Sequence, residues 1–122
     1  MKVRITTPTK CTIYPDIEDN AELPESDRFG IELQRPSDQA ISEAGVRTEY
    51  DDYGNVRTVY DQMGVARAWI KRLINPPDLE IEGRQRKMRV GDIFRFSELA
   101  PVVKQINEKI TDLSEESEPA KN

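Results

Sequence analysis

The sequence predicts an α+β fold: a small antiparallel sheet from N-terminal strands, packed against two main helices at about residues 56–74 and 98–113. Three observations carry this expectation. Apolar residues alternate with polar ones near the start of the chain, and they recur every three or four positions in the two long stretches. They do neither in residues 15–28, an acidic loop, or in residues 114–122, a disordered acidic C-terminal tail. A chain of 122 residues reads as one small domain, here residues 1–113, followed by the tail.

Taken in order, KVRIT sets Val3 and Ile5 against Lys2, Arg4 and Thr6, a period of two that predicts a strand. KCTIY (10–14) follows the Thr7-Pro8 break as a second strand. RFGIELQRP is a third, with Phe29, Ile31 and Leu33 on one face and Pro36 as its stop. PSDQAISEAG predicts a short helix with Ser37 as its cap and Gly45 ending it in the left-handed conformation.

TEYDDYGN is a turn-rich connection. In VRTVYDQMGVARAWIKRLI, Val56, Val59, Tyr60, Met63, Ala66, Ile70 and Leu73 fall at helical spacing, with Asn55 as cap and Pro76-Pro77 as stop. As a helix this stretch would span about 28 Å. Gly64 in its middle marks a bend or a close contact. DLEIEG predicts a strand that turns Glu80 and Glu82 to solvent, while MRVGDIFRF fits either a strand or a helical turn. In the last helix Leu99, Val102, Val103, Ile106, Ile110 and Leu113 form a stripe, with Ser97 as candidate cap and Pro101 in the first turn. No internal repeat is evident.

Composition narrows the function. The chain has no histidine, so catalytic triads and metal sites that depend on imidazole are excluded. Its glycines match no phosphate-binding loop, and no nucleophile elbow occurs. Glu49, Asp51, Asp52 and Asn55 are oxygen donors, but without calcium-loop spacing they read as a polar turn. The single cysteine, Cys11, permits no internal disulfide and reads as a strand residue rather than a nucleophile. No cofactor or metal is expected, and a non-enzymatic role follows. The N-terminus lacks the apolar core of a signal peptide, and no apolar run is long enough for a membrane span, so a cytoplasmic setting is expected.

Net charge is −5 but unevenly placed. PDIEDNAELPESD carries six acids and no base, whereas GRQRKMR carries Arg84, Arg86, Lys87 and Arg89 and no acid. That basic segment, helped by Arg67, Lys71 and Arg72, defines one alternative, a small nucleic-acid-associated regulator. The overall negative charge argues against it, because phosphate affinity needs a broad positive field. The leading expectation is an interaction protein. Its terminal helix would lie in a partner's groove through Leu99, Val103, Ile106, Ile110 and Leu113, with Trp69 as a further anchor if it faces outward.

FGIEL with its RPSD stop, the mid-chain Trp69, DLEIEG, FSELAPVVKQINEKI and the ending SEESEPAKN together resemble the small tail assembly chaperones of long-tailed bacteriophages. The resemblance covers about residues 29–35 and 69–122, and GRQRKMR and the acidic loop depart from it. It implies a protein of the host cytoplasm that holds the tape-measure protein soluble and recruits tail-tube subunits. It brings no catalytic residues, and only a partner-facing role for the terminal helix.

Overall fold

The computed structural model describes residues 1–3 and 9–117. The α+β class is as expected, but the elements are more numerous and shorter. Of the expected first strand, residues 4–6 lie outside the described residues, and Lys2 and Val3 have no regular structure. β1 (Lys10–Ile13), β2 (Gly30–Gln34) and β5 (Ile70–Ile74) form an antiparallel sheet in the order β1-β2-β5. β2 is central, and its Ile31 and Leu33 are wholly buried. They sit opposite Ile13 and Cys11 on one side and Leu73 and Ile70 on the other, so apolar partners meet across both ladders.

The helix expected over 56–74 is instead three elements: β4 (Val56–Tyr60), α2 (Gln62–Trp69) and β5. Two local signals divide it. Val56, Thr58 and Val59 are β-branched and pair with β3 (Val46–Tyr50) in a hairpin. Asp61 then caps α2, accepting from the Gly64 N–H at 3.1 Å, so the cap is Asp61 and not Asn55. At the other end Ile70 turns extended, and β2 draws residues 70–74 into its ladder. Tertiary pairing thus overrides an apolar spacing that two β-strands imitate by chance.

β3 and β4 carry near-identical pentapeptides, VRTEY and VRTVY, a repeat that the opposite expectation missed. They are joined by a turn in which Asp51 accepts from the N–H groups of Tyr53 and Asn55 at 2.9 and 2.8 Å. Asn55 therefore closes a hairpin rather than opening a helix. β6 (Asp78–Ile81) and β7 (Arg84–Lys87) form a second hairpin through Glu82 and Gly83, both at positive φ, the geometry of a tight two-residue turn. The basic segment is thus a strand, and Glu82 is in the turn, not beside Glu80 on a strand face.

MRVGDIFRF resolves to α3 (Val90–Arg95), and Ser97–Leu99 is a single 3₁₀ turn leading into α4 (Ala100–Ser117). α4 passes the expected end at residue 113 by one turn, so the tail expected from residue 114 begins as helix; residues 118–122 lie outside the described residues. α1 (Asp38–Ala44) is capped by Ser37 as expected, its Oγ accepting from Ala40 N–H at 3.1 Å.

Gly45 ends α1 at φ −82, not left-handed. Its glycine is required by space: a Cβ there would lie 2.9 Å from the Ile41 carbonyl oxygen and 3.1 Å from a Val65 methyl. Gly64 is tighter still. A Cβ at that position would fall 2.1 Å from the Ala44 carbonyl oxygen, so α1 and α2 touch backbone to backbone.

Ala on a helix is ordinarily preferred to Gly by about 1 kcal/mol. Here the sign reverses: Gly64→Ala is expected to lower stability by about 1–3 kcal/mol, because backbone must move to admit the methyl. Urea unfolding of the two proteins measures it, and unchanged or raised stability would show that the α1–α2 contact gives way freely.

Candidate interaction surfaces

The residues expected to face a partner are largely core. Leu99, Ile106 and Leu113 are buried with Val102 in one cluster that also holds Trp69, Ile31, Leu33 and Ile93. Trp69 is only 3% exposed, so it widens the core and is no outward anchor. Val103 and Ile110 are half-buried against the same cluster. The amphipathic stripe of α4 therefore closes this molecule's own fold. Val103 alone of the expected anchors lines an open groove of about 830 Å³, which runs between α3, α4 and the start of α2 past Met63, Phe94 and Lys104.

The basic segment is partly spent internally. Arg86 donates through Nη1 and Nη2 to the two carboxylate oxygens of Asp92 at 2.7 and 2.6 Å, a bidentate pair. Asp92 is 4% exposed and also accepts from the Arg89 backbone N–H at 2.8 Å, which fastens the first turn of α3. The Arg86 guanidinium is the chief cause that holds the Asp92 carboxyl far below the usual carboxylate range, against the opposing effect of burial. Arg84, Lys87 and Arg89 remain exposed.

Nor do Lys71 and Arg72 form a helical basic face with Arg67. A bulge in β5 between the partners of Glu32 and Leu33 leaves Lys71 as the extra residue. Both cations then reach the same carboxylate, Arg72 Nε at 2.5 Å and Lys71 Nζ at 3.7 Å from Glu32.

The polar turn at 48–55 likewise keeps its oxygens. Asp51 accepts from amides of its own turn, including Asn55 Nδ2 at 3.1 Å, and its carboxyl is held below its ordinary value, above all by the Asn55 N–H. Glu49 pairs with Arg47 at 2.9 Å and Arg57 at 3.1 Å.

Two surfaces stand out that periodicity did not reveal. The first is the β3–β4 arm. Val46, Tyr50, Tyr53, Val56 and Tyr60 are exposed to between 51% and 90%, and they hold most of the exposed large apolar surface among the described residues. The register puts Val46 with Tyr60, Thr48 with Thr58 and Tyr50 with Val56 on one uncharged face. The opposite face carries the Arg47–Glu49–Arg57 ion pairs. Among the described residues neither edge of the ribbon is paired, so its outer N–H and C=O groups are open to another strand.

The second is a pocket of about 620 Å³ between the acidic loop and the β6–β7 hairpin. Its floor is apolar, with Ile17, Leu23, Leu79, Ile81 and Phe96 half-buried in it. Its rim carries Glu18, Asp19, Asp27, Asp78, Glu80 and Glu98, and among the described residues no lysine or arginine lines it.

Polar clasps give this pocket its shape. Asn20, 6% exposed, donates to the carbonyls of Pro15 and Phe29 at 2.8 and 3.0 Å and accepts from Phe29 N–H at 2.8 Å. Arg28 reaches back to the Leu23 and Ala21 carbonyls, and Asn75, at φ 48, donates to those of Ser26 and Arg28. The loop expected at 15–28 is thus a loop, but a fastened one, and Asn20 within an acid run was the sequence signal for it.

Comparison of the chain with protein-family models, with curated proteins and with solved structures finds no match in any of the three. No described helix is long and apolar enough to cross a membrane.

Arg86→Ala leaves a buried carboxylate without its cation, and is expected to cost about 2–3 kcal/mol in urea unfolding. That is less than the ~3–5 kcal/mol of a fully buried pair, since the Arg86 side chain is 33% exposed. Because the fold lowers the Asp92 pKa, its contribution is complete above about pH 4 and declines as pH falls below that. Melting temperatures from pH 6 to pH 2 should therefore fall more steeply for the wild type than for Asp92→Asn; parallel curves would deny the pair its role. Asn20→Ala removes three buried hydrogen bonds and should cost about 2–3 kcal/mol. Hydrogen exchange should show the loss first at Asn20 and Phe29 if the clasp holds the loop.

Proposed function

We propose that this is a non-enzymatic interaction protein that joins another protein through its β3–β4 arm. One observation carries the reading: a two-stranded ribbon presents an uncharged face of valine, threonine and tyrosine and two unpaired edges to solvent. An isolated hairpin is marginal in water, and exposed apolar patches on otherwise polar proteins mark contact sites. Tyrosine supplies large contact area at low entropic cost. The mode that fits is addition of the arm to a partner's sheet, with main-chain hydrogen bonds along the edge and side chains packed on the uncharged face.

The resemblance to phage tail assembly chaperones suggests a setting for this contact, with tape-measure and tail-tube proteins as partners. It rests on sequence alone and implies a contact through the terminal helix; because the α4 stripe is core, our reading puts the contact on the arm instead. The nucleic-acid reading is not carried further, since Arg86, Lys71 and Arg72 are engaged with carboxylates of the same molecule.

The test is co-expression of the chain with the tape-measure and tail-tube proteins of its own source, followed by size-exclusion chromatography with light scattering. The wild type is expected to retain a partner in a soluble complex, and Tyr50→Ser/Tyr60→Ser to lose it while keeping its melting temperature, since exposed substitutions cost within about 0.5 kcal/mol. Retention by the double variant would remove the arm from the contact. Failure of the wild type to retain either protein would remove the tail-assembly setting.

A further inference from the structure

We infer that the acidic-rimmed pocket between residues 17–27 and the β6–β7 hairpin receives a basic amphipathic segment of a partner protein, an apolar side chain flanked by lysines or arginines. The inference is independent of the arm. It rests on the charge and shape of a different surface, which no described lysine or arginine lines.

Six carboxylates surround one opening, and none of them is ion-paired among the described residues, although the neighbouring strand β7 carries Arg84, Arg86 and Lys87. Arg86 turns instead to Asp92. Like charges around a low-dielectric concavity focus a negative potential and raise the local concentration of cations. Among the described residues no ion pair offsets these charges, so a ligand with positive charge gains from both attraction and relief of the rim.

The chemical class narrows further. Among the described residues no group of carboxylates is clustered closely enough to hold a metal ion, so the charges suit several separate cations rather than one. Between them the floor is apolar, with Leu79 and Phe96 half-buried beneath the opening. A volume of about 620 Å³ accommodates one or two large side chains and is of the size at which ordinary ligand pockets are found. A simple polyamine would satisfy the rim and leave the floor wet. A peptide that alternates basic and apolar side chains satisfies both.

The experiment titrates the full-length protein into a fluorescein-labelled synthetic peptide of about twelve residues, patterned with leucine and lysine, and reads anisotropy. Two control peptides replace every leucine by serine or every lysine by glutamate. The expected result is saturable one-to-one binding of the leucine–lysine peptide, at least ~10-fold tighter than the serine control, with none for the glutamate control.

Asp78→Asn/Glu80→Gln/Glu98→Gln should weaken it by ~10-fold or more, whereas Glu43→Gln/Asp52→Asn/Asp112→Asn should leave it within about twofold. Both variants change net charge by the same amount on exposed residues and should keep wild-type melting. Amide shift mapping on the wild type should place the peptide at Leu79 and Phe96. Equal binding of the serine peptide, equal weakening by both variants, displacement by spermine without loss of contact at the floor, or shifts away from the pocket would each overturn the proposal.

Discussion

The fold depends on a shortage of apolar side chains. Only 36% of the chain is hydrophobic, and about a dozen buried apolar residues among those described make up the core. They come from β2, α2, α3 and α4 and from Phe29, Met88 and Leu99 beside them, so every long-range element must contribute to the same cluster or stand outside it. α4 contributes most steeply along one stripe, and Trp69 at the end of α2 supplies the largest side chain. Burial on this scale stabilises a chain of this length modestly, since each buried large aliphatic side chain is worth about 1.5–3 kcal/mol before chain entropy is subtracted.

What the core cannot reach is held by polar clasps, and these recur with one logic. A side chain with several hydrogen-bonding atoms bonds to backbone groups of its own turn or of a neighbouring segment and satisfies groups that would otherwise be stranded. Asn20 does this for the acidic loop, Arg28 and Asn75 for the approach to β2, Asp61 for the start of α2, and Asp92 for the start of α3. No buried side-chain nitrogen or oxygen among the described residues lacks a partner, which is what such economy requires.

The same shortage explains why the two surfaces are conspicuous. A chain short of apolar groups has nonetheless placed valines and tyrosines on an arm that packs on little but itself. It has also left an apolar floor open beneath a ring of carboxylates. The arm is neutral on its apolar face and the pocket is strongly negative, so they suit different chemistries: shape and main-chain pairing for one, charge and an apolar anchor for the other.

The sequence by itself determined the fold class, β1, β2, β6, α1 with its Ser37 cap, and the stripe of α4, because each depends on a local period or a local cap. It marked Gly64 as a bend or a close contact, and the structure decided for the contact, with the Ala44 carbonyl. The tertiary structure decided the rest. Residues 56–74 have helical spacing, yet β3 and β2 each offer an unsatisfied strand edge, and pairing with those edges outweighs local preference. Arg86 in a basic run gives no sign that it belongs to Asp92, because a bidentate pair six residues apart depends on how β7 and α3 meet. The pocket is less legible still, since its rim joins residues 18 to 98 that only packing makes neighbours. Whether an apolar stripe is core or interface is likewise undecidable from period alone: α4 and the arm both carry one, and burial assigns the first inward and the second outward.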